Sequence, residues 1–232
     1  MTALPAALFS NPVWHALHGP HRHLALDGGE AWRYPADVAP FAALARPDAS
    51  AFEALHHLLA ACDPVWMADA PPPQVRGLVL EASLECLQMV LPFDTALPPV
   101  TIAIEALSCD HATEMVALTD AAFPGFFRRN TCRMGSYFGV RRAGALAAMA
   151  GERLKLEGYP EMSAICTHPD HRSQGLARNL IAHLARHHRR AGLVSWLHVS
   201  ASNTGAIELY RDLGFETART IVLHRIARAD ET

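Results

Sequence analysis

The stretch ICTHPDHRSQGLA, residues 165–177, reads as a short apolar strand, a turn that contains a proline, and the start of a helix. The first backbone N–H groups of a helix have no intrahelical partner and carry partial positive charge, so a diphosphate can bind there without a lysine. Gly175 and Ala177 are small, and a larger side chain at either position would separate phosphate oxygens from these amides. The predicted pyrophosphate site consists of Arg172, Ser173, Gln174, Gly175, Leu176 and Ala177.

A second block, NTGAIELYRDLGF at residues 203–215, reads as a helix that ends at Gly214, with an apolar strand before it. The two blocks together resemble the GNAT superfamily of acyl-CoA-dependent N-acyltransferases. The pattern R-x-x-G-x-A opens a helix after a strand, and N-x-x-A-x-x-L-Y-x-x-x-G-F follows it. The resemblance covers residues 101–226 and is strongest over 161–215. Residues 161–169, EMSAICTHP, further resemble the branch that includes the glycine N-acyltransferase-like C-terminal domains.

This resemblance implies a fold and an activity. We expect an α/β fold with a GNAT-type mixed, mostly antiparallel, splayed sheet flanked by helices, and with an N-terminal α/β extension. The implied reaction transfers an acetyl group from acetyl-CoA, the acyl donor cosubstrate, to an amine on a small molecule or peptide by direct attack on the thioester. Two alternatives stay open: an enzyme that uses another acyl-CoA with an amino-acid acceptor, and a non-catalytic acyl-CoA-binding sensor or scaffold.

Prolines indicate a division of the chain. Pro98 and Pro99 lie just before an apolar strand over 100–107, so we predict a domain junction near residue 98. Residues 1–98 are then an N-terminal extension, which the resemblance implies as a degenerate acyltransferase half, and residues 99–232 are the catalytic domain. The elements predicted after the first strand are a helix over 110–122, strands over 136–142, 145–155 and 161–167, a helix over 174–190, a strand over 193–199, a helix over 203–213 and a strand over 215–226.

The resemblance also implies roles for single residues. Backbone groups of Ile165, Cys166 and Thr167 are expected to bond pantetheine and the acyl carbonyl. Asn203 is expected to contact pantetheine while it caps its helix. Tyr210 is the expected general acid, because a positioned phenol can protonate the departing thiolate. The Cys166 side chain is expected to pack in the core, since direct transfer needs no acyl-enzyme.

Two residues are candidates for the general base. Period-two alternation puts Glu161, Ser163, Ile165 and Thr167 on one strand face, from which Glu161 could take the amine proton directly or through water. His198, on the neighbouring strand, is the alternative, because histidine exchanges protons readily near neutral pH. The aromatic run FPGFF at residues 123–127 is expected, from the resemblance, to line the acceptor pocket.

Composition excludes several classes of partner. The formal net charge is -3, from 20 basic and 23 acidic residues, so the chain has no broad positive surface for nucleic acid. Five cysteines without a C-x-x-C pair predict reduced thiols, as in a cytoplasmic protein. No apolar run approaches the roughly 20 residues of a membrane helix, so we expect no membrane partner and a cytoplasmic location.

Four close histidines, His15, His18, His21 and His23, have a spacing that some metal sites use. A Gly-Pro pair between His18 and His21 breaks any helix that would align them. No acidic or thiol partner stands nearby in the sequence. We therefore expect no metal.

Overall fold

The computed structural model describes residues 5–69 and 75–229. The α-helices in these ranges are α1 (Ala6–Ser10), α2 (Pro12–His18), α3 (Ala49–Leu58), α4 (Ala112–Ala122), α5 (Leu176–Arg190) and α6 (Thr204–Asp212). The strands are β1 (Leu26–Asp27), β2 (Ala31–Arg33), β3 (Ala42–Leu44), β4 (Val65–Ala68), β5 (Leu78–Val90), β6 (Glu105–Leu107), β7 (Tyr137–Arg142), β8 (Ala145–Leu156), β9 (Tyr159–Thr167), β10 (Trp196–Ser200) and β11 (Glu216–Arg228). Short 3-10 helices lie at Arg22–Leu24, Cys109–His111, Thr131–Met134 and Pro169–His171. Among these described residues, no helix has the length and apolar character needed to cross a membrane.

An eight-stranded sheet in the order β4-β11-β5-β10-β9-β8-β7-β6 forms the centre of the molecule. Neighbouring strands are antiparallel except for β9 and β10, which are parallel. Strands β1, β2 and β3 form a smaller antiparallel sheet. The predicted α/β fold, with a mixed and mostly antiparallel sheet flanked by helices, is therefore confirmed.

The parallel strands β9 and β10 part soon after they meet. Their ladder registers Trp196 with Glu161. From there β9 continues beside β8, while β10 continues beside β5. The two strands thus open a gap in the middle of the sheet, and residues of both line one cavity there.

Helices cover both faces of the sheet. Leu180 and Leu184 of α5 belong to one apolar cluster, together with Ala148 of β8. The next residue along β8, Met149, belongs to another cluster with Met115 of α4. Because successive side chains of a strand point to opposite faces, α5 and α4 lie on opposite sides of the sheet.

A strand from the first half of the chain lies inside this sheet. Strand β5 pairs with β10 over residues 86–90 and with β11 over 78–90. Sequence patterns do not identify this segment as a strand, because its apolar residues follow neither the helical nor the strand period over its full length. The domain junction near residue 98 stays a prediction, and the segments on its two sides share this one sheet.

Cys109 and Cys132 form a disulfide, with their Cα atoms 5.3 Å apart. The prediction that the cysteines are all reduced is therefore wrong for this pair. The two residues are 23 positions apart, and helix α4 with the loop after it returns the chain to the same place. Such a tertiary contact leaves no mark in the spacing of cysteines along the sequence.

Candidate active site

A cavity of about 280 Å³ lies in the gap between β9 and β10. Its lining includes four predicted site residues, which are Ile165, His198, Asn203 and Tyr210. Glu161, Cys166, Thr167 and the diphosphate segment 172–177 lie outside this lining. The structure therefore brings Tyr210, the expected acid, and His198, one of the two candidate bases, to one cavity. Glu161, the other candidate base, does not line it.

The diphosphate segment forms the exposed start of α5. Gly175 is the N-cap with φ +72°, and no side chain caps the helix. A Cβ atom at Gly175 would have Asn179 Nδ2 as its nearest neighbour, at 4.0 Å, so the space over the helix end is open. Asn179 fixes this end, because it donates to the Gly175 carbonyl at 3.0 Å and accepts from the Thr101 amide at 2.7 Å. Open amides at a helix N-terminus fit a diphosphate.

Tyr210 and Asn203 are both on α6. Tyr210 is 7% exposed and packs 5.7 Å from the Phe215 ring, measured between centroids. Burial raises the pKa of its phenol well above the ordinary value, so the hydroxyl keeps its proton at physiological pH. Asn203 caps α6 by accepting a hydrogen bond from the Ala206 amide at 3.2 Å. A protonated phenol in the cavity is the form that a general acid requires.

Glu161 is fully buried and accepts four hydrogen bonds. Arg153 donates to it from Nε at 3.0 Å and from Nη2 at 2.5 Å. The Leu154 amide donates at 3.1 Å, and His198 Nδ1 lies 2.7 Å from Oε1. Burial alone would raise the pKa of Glu161, but Arg153 and His198 hold it well below its usual range. A carboxylate this acidic, with its acceptor sites filled, is a poor base for an amine proton.

His198 joins Glu161 to Gln88. Because an ionised carboxylate can only accept, Nδ1 of His198 carries the proton in the contact with Glu161. Its Nε2 atom then accepts a hydrogen bond from Gln88 Nε2 at 3.0 Å. Gln88 is itself held by donating to the Phe9 carbonyl at 3.1 Å. The imidazole that lines the cavity is therefore oriented with its proton-accepting nitrogen away from Glu161.

Strand β9 contains a bulge that simple alternation does not predict. Ala164 has φ +51°, and the register with β8 shifts at this point. Met162 and Ile165 both pack against the α5 cluster, although strict alternation would put them on opposite faces. The predicted shared face of Glu161, Ser163, Ile165 and Thr167 is therefore wrong for Ile165.

Cys166 is a buried thiol in the cluster around α4. Burial raises the pKa of this thiol to about 12. Since the thiolate is the nucleophilic form, such a group is a poor acyl acceptor, which fits its expected packing role. Ile165, Cys166 and Thr167 end the strand that borders the gap, and their backbone roles in binding the donor stay predictions.

An aromatic wall closes another part of the cavity. Phe123, Phe126 and Phe127 all line it, as expected for the run after α4. Tyr137 joins them from β7, and the ring packs against Gly151 so closely that any side chain at that position would overlap it. The wall follows α4 in the segment between the two disulfide cysteines.

Two of the four N-terminal histidines pack against neighbouring groups. The His18 ring is stacked between Trp14 and Trp32, with centroids 3.8 and 3.7 Å away. His21 is buried, with Nδ1 2.8 Å from the Tyr34 hydroxyl and Nε2 2.9 Å from the Met134 carbonyl. Within residues 5–69 and 75–229, no three His, Cys, Asp or Glu side chains are grouped so as to hold a metal ion.

Three site residues were not predicted from the sequence. One pattern in the sequence points to Arg153: Glu161, which has the opposite charge, follows it by eight positions. The paired strands β8 and β9 bring these two residues together. Gln88 has none, since its strand is not recognised. Tyr137 is indicated only by the glycine that faces it, Gly151, whose pairing depends on strand register.

Comparisons with known proteins identify the family. The FR47-like protein family model matches residues 137–223. A protein of Novosphingobium aromaticivorans assigned to the GNAT family of acetyltransferases is similar over 95% of this chain and 98% of its own, with 35% identity and a TM-score of 0.86. A GCN5-related N-acetyltransferase from Kribbella flavida shares the fold at 19% identity, with a TM-score of 0.64 over 100% of this chain and 98% of its own.

A curated relative matches a shorter region. The [ribosomal protein bS18]-alanine N-acetyltransferase of Escherichia coli strain K12 is 38% identical over 82 residues, which are 35% of this chain and 55% of that protein. The chain thus spans about half the length of the curated relatives it matches. The similarity to the Novosphingobium protein, in contrast, extends over nearly the whole of both chains. The chain therefore belongs to the GNAT family of acetyltransferases.

Proposed function

We propose that the protein is an N-acetyltransferase that transfers the acetyl group of acetyl-CoA to an amine by direct attack. The amine nitrogen forms a bond to the thioester carbon, and the bond from that carbon to sulfur breaks. The amine proton goes to His198, and the thiolate takes the proton of the Tyr210 hydroxyl. The observation that carries the proposal is the presence of both side chains in the lining of one cavity, at the gap between β9 and β10.

His198 is the base in this proposal, and Glu161 is its positioning residue. The support is the proton on Nδ1, which directs the basic Nε2 atom away from the carboxylate. For Nε2 to take a proton, it must exchange its bond from Gln88 for the amine. Glu161 then lies beside the imidazolium that forms and stabilises its charge. Glu161 as the base is disfavoured, because four donors already occupy its carboxylate.

The donor is proposed to bind along the exposed end of α5 and the gap. Residues 172–177 would hold the diphosphate through backbone amides. The end of β9, from Ile165 to Thr167, would bond pantetheine and the acyl carbonyl, and Asn203 would contact pantetheine. Support comes from the uncapped helix end and the open space over Gly175.

Three narrower statements stay predictions. The first is the glycine N-acyltransferase-like branch, which residues 161–169 resemble. The second is that residues 1–98 are a degenerate acyltransferase half, which follows only from the resemblance of the chain to two-part members of the family. The third is the cytoplasmic location, for which the expected reduced thiols are one of two arguments. The Cys109–Cys132 disulfide removes that support, because such bonds are rare in reducing compartments.

The test is release of free CoA thiol from acetyl-CoA in the presence of a panel of amines and N-terminal peptides. Acceptor-dependent release, with an acetylated product seen by mass spectrometry, supports the proposal. A protein that binds acetyl-CoA but transfers nothing to any acceptor is a sensor instead. Cys166→Ala is expected to keep most of the activity. An acetyl group trapped on Cys166 that then passes to the acceptor would overturn direct transfer.

A further inference from the structure

The cavity contains a guanidinium with one edge that the protein leaves open. Arg153 binds Glu161 through Nε and Nη2. The Phe41 ring lies 4.8 Å from the central carbon of the guanidinium. Nη1 makes no hydrogen bond to any residue in the part of the chain that the structure describes, and Arg153 lines the cavity. Nη1 lacks a partner among the described residues but is not buried, so this edge of the guanidinium has solvent-accessible surface. Because Arg153 lines the cavity, Nη1 is the edge that can donate to a molecule bound there.

The polar lining of the cavity favours an anionic group on the acceptor. None of its lining residues in the described ranges is Asp or Glu. The Glu161 carboxylate is fully buried and already accepts four hydrogen bonds. A polyamine or a lysine side chain would therefore bring its positive charge next to Arg153 without a carboxylate to meet it. A carboxylate would instead gain charge-assisted hydrogen bonds from Nη1.

Much of the remaining cavity lining is apolar, and the cavity is small. Phe123, Phe126 and Phe127 lie on one segment, with Leu84 and Leu223 from β5 and β11. The volume of about 280 Å³ lies near the lower end of the range for small-molecule sites, which begins at about 300 Å³. Ile165 and Asn203 of the proposed pantetheine site also line this cavity, so the donor takes part of the space. The part that is left fits one small acceptor with an apolar body better than an extended peptide.

We infer that the acceptor is a free α-amino acid with an apolar or aromatic side chain, bound through its carboxylate to Arg153 and through its side chain to the phenylalanine wall. The inference rests on the proposed function and names its substrate class. The same arrangement assists the chemistry. A guanidinium beside the α-ammonium group favours the neutral amine, which is the attacking form.

The first test uses the wild-type protein with three acceptors: L-phenylalanine, L-phenylalaninamide and phenethylamine. Free thiol release is followed at saturating acetyl-CoA. We expect kcat/KM for phenylalanine to exceed the values for the other two by roughly 10- to 100-fold, the effect of one charge-assisted hydrogen bond. Equal or faster turnover of the amide overturns the inference and leaves the proposed function intact. Absence of turnover with all three, while acetyl-CoA binds, also overturns it, and peptide acceptors then test the function separately.

The second test compares two exposed phenylalanines of similar accessibility. Phe123 lines the cavity and is 37% exposed, whereas Phe93 lies outside the lining and is 41% exposed. Phe123→Ala is expected to raise KM for phenylalanine several-fold with KM for acetyl-CoA unchanged, and Phe93→Ala to change neither. Equal effects of the two substitutions would contradict the proposed wall.

A third variant tests the guanidinium itself. Arg153→Lys keeps a positive charge for Glu161 but has no second edge to offer the cavity. Its preference for phenylalanine over phenylalaninamide is expected to fall toward one. An unchanged preference would overturn the role of Arg153. If this variant does not fold, the acceptor comparison on the wild-type protein decides.

Discussion

The Nδ1 atom of His198 lies 2.7 Å from Oε1 of Glu161, and this contact gives the two candidate bases different roles. The carboxylate is ionised and shared with Arg153, so it orients the imidazole and cannot readily take a proton itself. The imidazole lines the cavity, where an amine would lose its proton. In the proposed mechanism His198 takes the proton of the amine, and Glu161 holds the buried negative charge that orients His198.

This division predicts different phenotypes for two conservative substitutions. His198→Gln should lower turnover at neutral pH by roughly 10²-fold and recover partly at high pH, where more of the acceptor amine is already neutral. Glu161→Gln should lower the free energy of unfolding by about 3–5 kcal/mol, because it leaves the Arg153 guanidinium buried without its anion. Its turnover should fall less than that of His198→Gln, through loss of support for the imidazolium, and should not recover at high pH. Turnover as a function of pH and urea denaturation of both variants provide the measurements.

The opposite pattern would assign the base to Glu161. In that case Glu161→Gln would fold with wild-type stability and regain turnover at high pH, and His198→Gln would keep its activity. Acetyl-CoA affinity serves as the control in both variants, since neither residue belongs to the donor site.

The proposed diphosphate site at residues 172–177 predicts a difference between the two ends of α5. Gly175 and Gly192 flank α5, and both have φ +72°. A glutamate at either position meets the same backbone strain, but only at residue 175 does it place a negative charge over the open amides. Gly175→Glu should abolish acetyl-CoA binding in calorimetry, and Gly192→Glu should retain it. Equal affinities in the two variants would remove the diphosphate site from this helix end.

The order of elements after residue 100 follows from the sequence because each pattern there is local. Helix α5 carries an apolar stripe and lies between a glycine N-cap and Gly192, and α6 starts at an asparagine cap. Predicted strand and helix bounds agree with the structure to within a few residues, apart from the strand over 100–107, of which only Glu105–Leu107 forms.

The remaining features depend on contacts between distant segments. Strand β5 is a strand because β10 and β11 pair with its two edges, not because of its own pattern. The Cys109–Cys132 bond depends on the return of the chain after α4. The bulge at Ala164 moves Ile165 to the other face, and local alternation carries no signal of it. For the same reason Arg153 and Gln88 enter the site only once the sheet is known.

His21 predicts a pH dependence of stability. Burial lowers its pKa from 6.5 to about 4, and the Tyr34 hydroxyl and Met134 carbonyl hold the neutral ring. Between these two values the unfolded chain binds a proton that native His21 excludes, so the free energy of unfolding falls as the pH decreases from 6.5 toward 4. The full decrease in the free energy of unfolding is roughly 3 kcal/mol. Well above pH 6.5, titration of His21 no longer changes this free energy.

Thermal unfolding between pH 7.5 and pH 5 measures this effect. His21→Gln should flatten the slope of Tm against pH, whatever its own effect on Tm. His23→Gln is the matched control, because His23 is an exposed histidine two positions away. A slope in His21→Gln that equals that of the wild type would show that another group causes the dependence.

The most direct test of acyl transfer in this cavity is the rate of acceptor-dependent thiol release by Tyr210→Phe at saturating acetyl-CoA. The substitution keeps the ring that packs near Phe215 and removes the proton donor. We predict a decrease in turnover of roughly 10²-fold or more with an unchanged Kd for acetyl-CoA. Wild-type turnover in this variant would contradict the account, because Tyr210 would then only pack in the core.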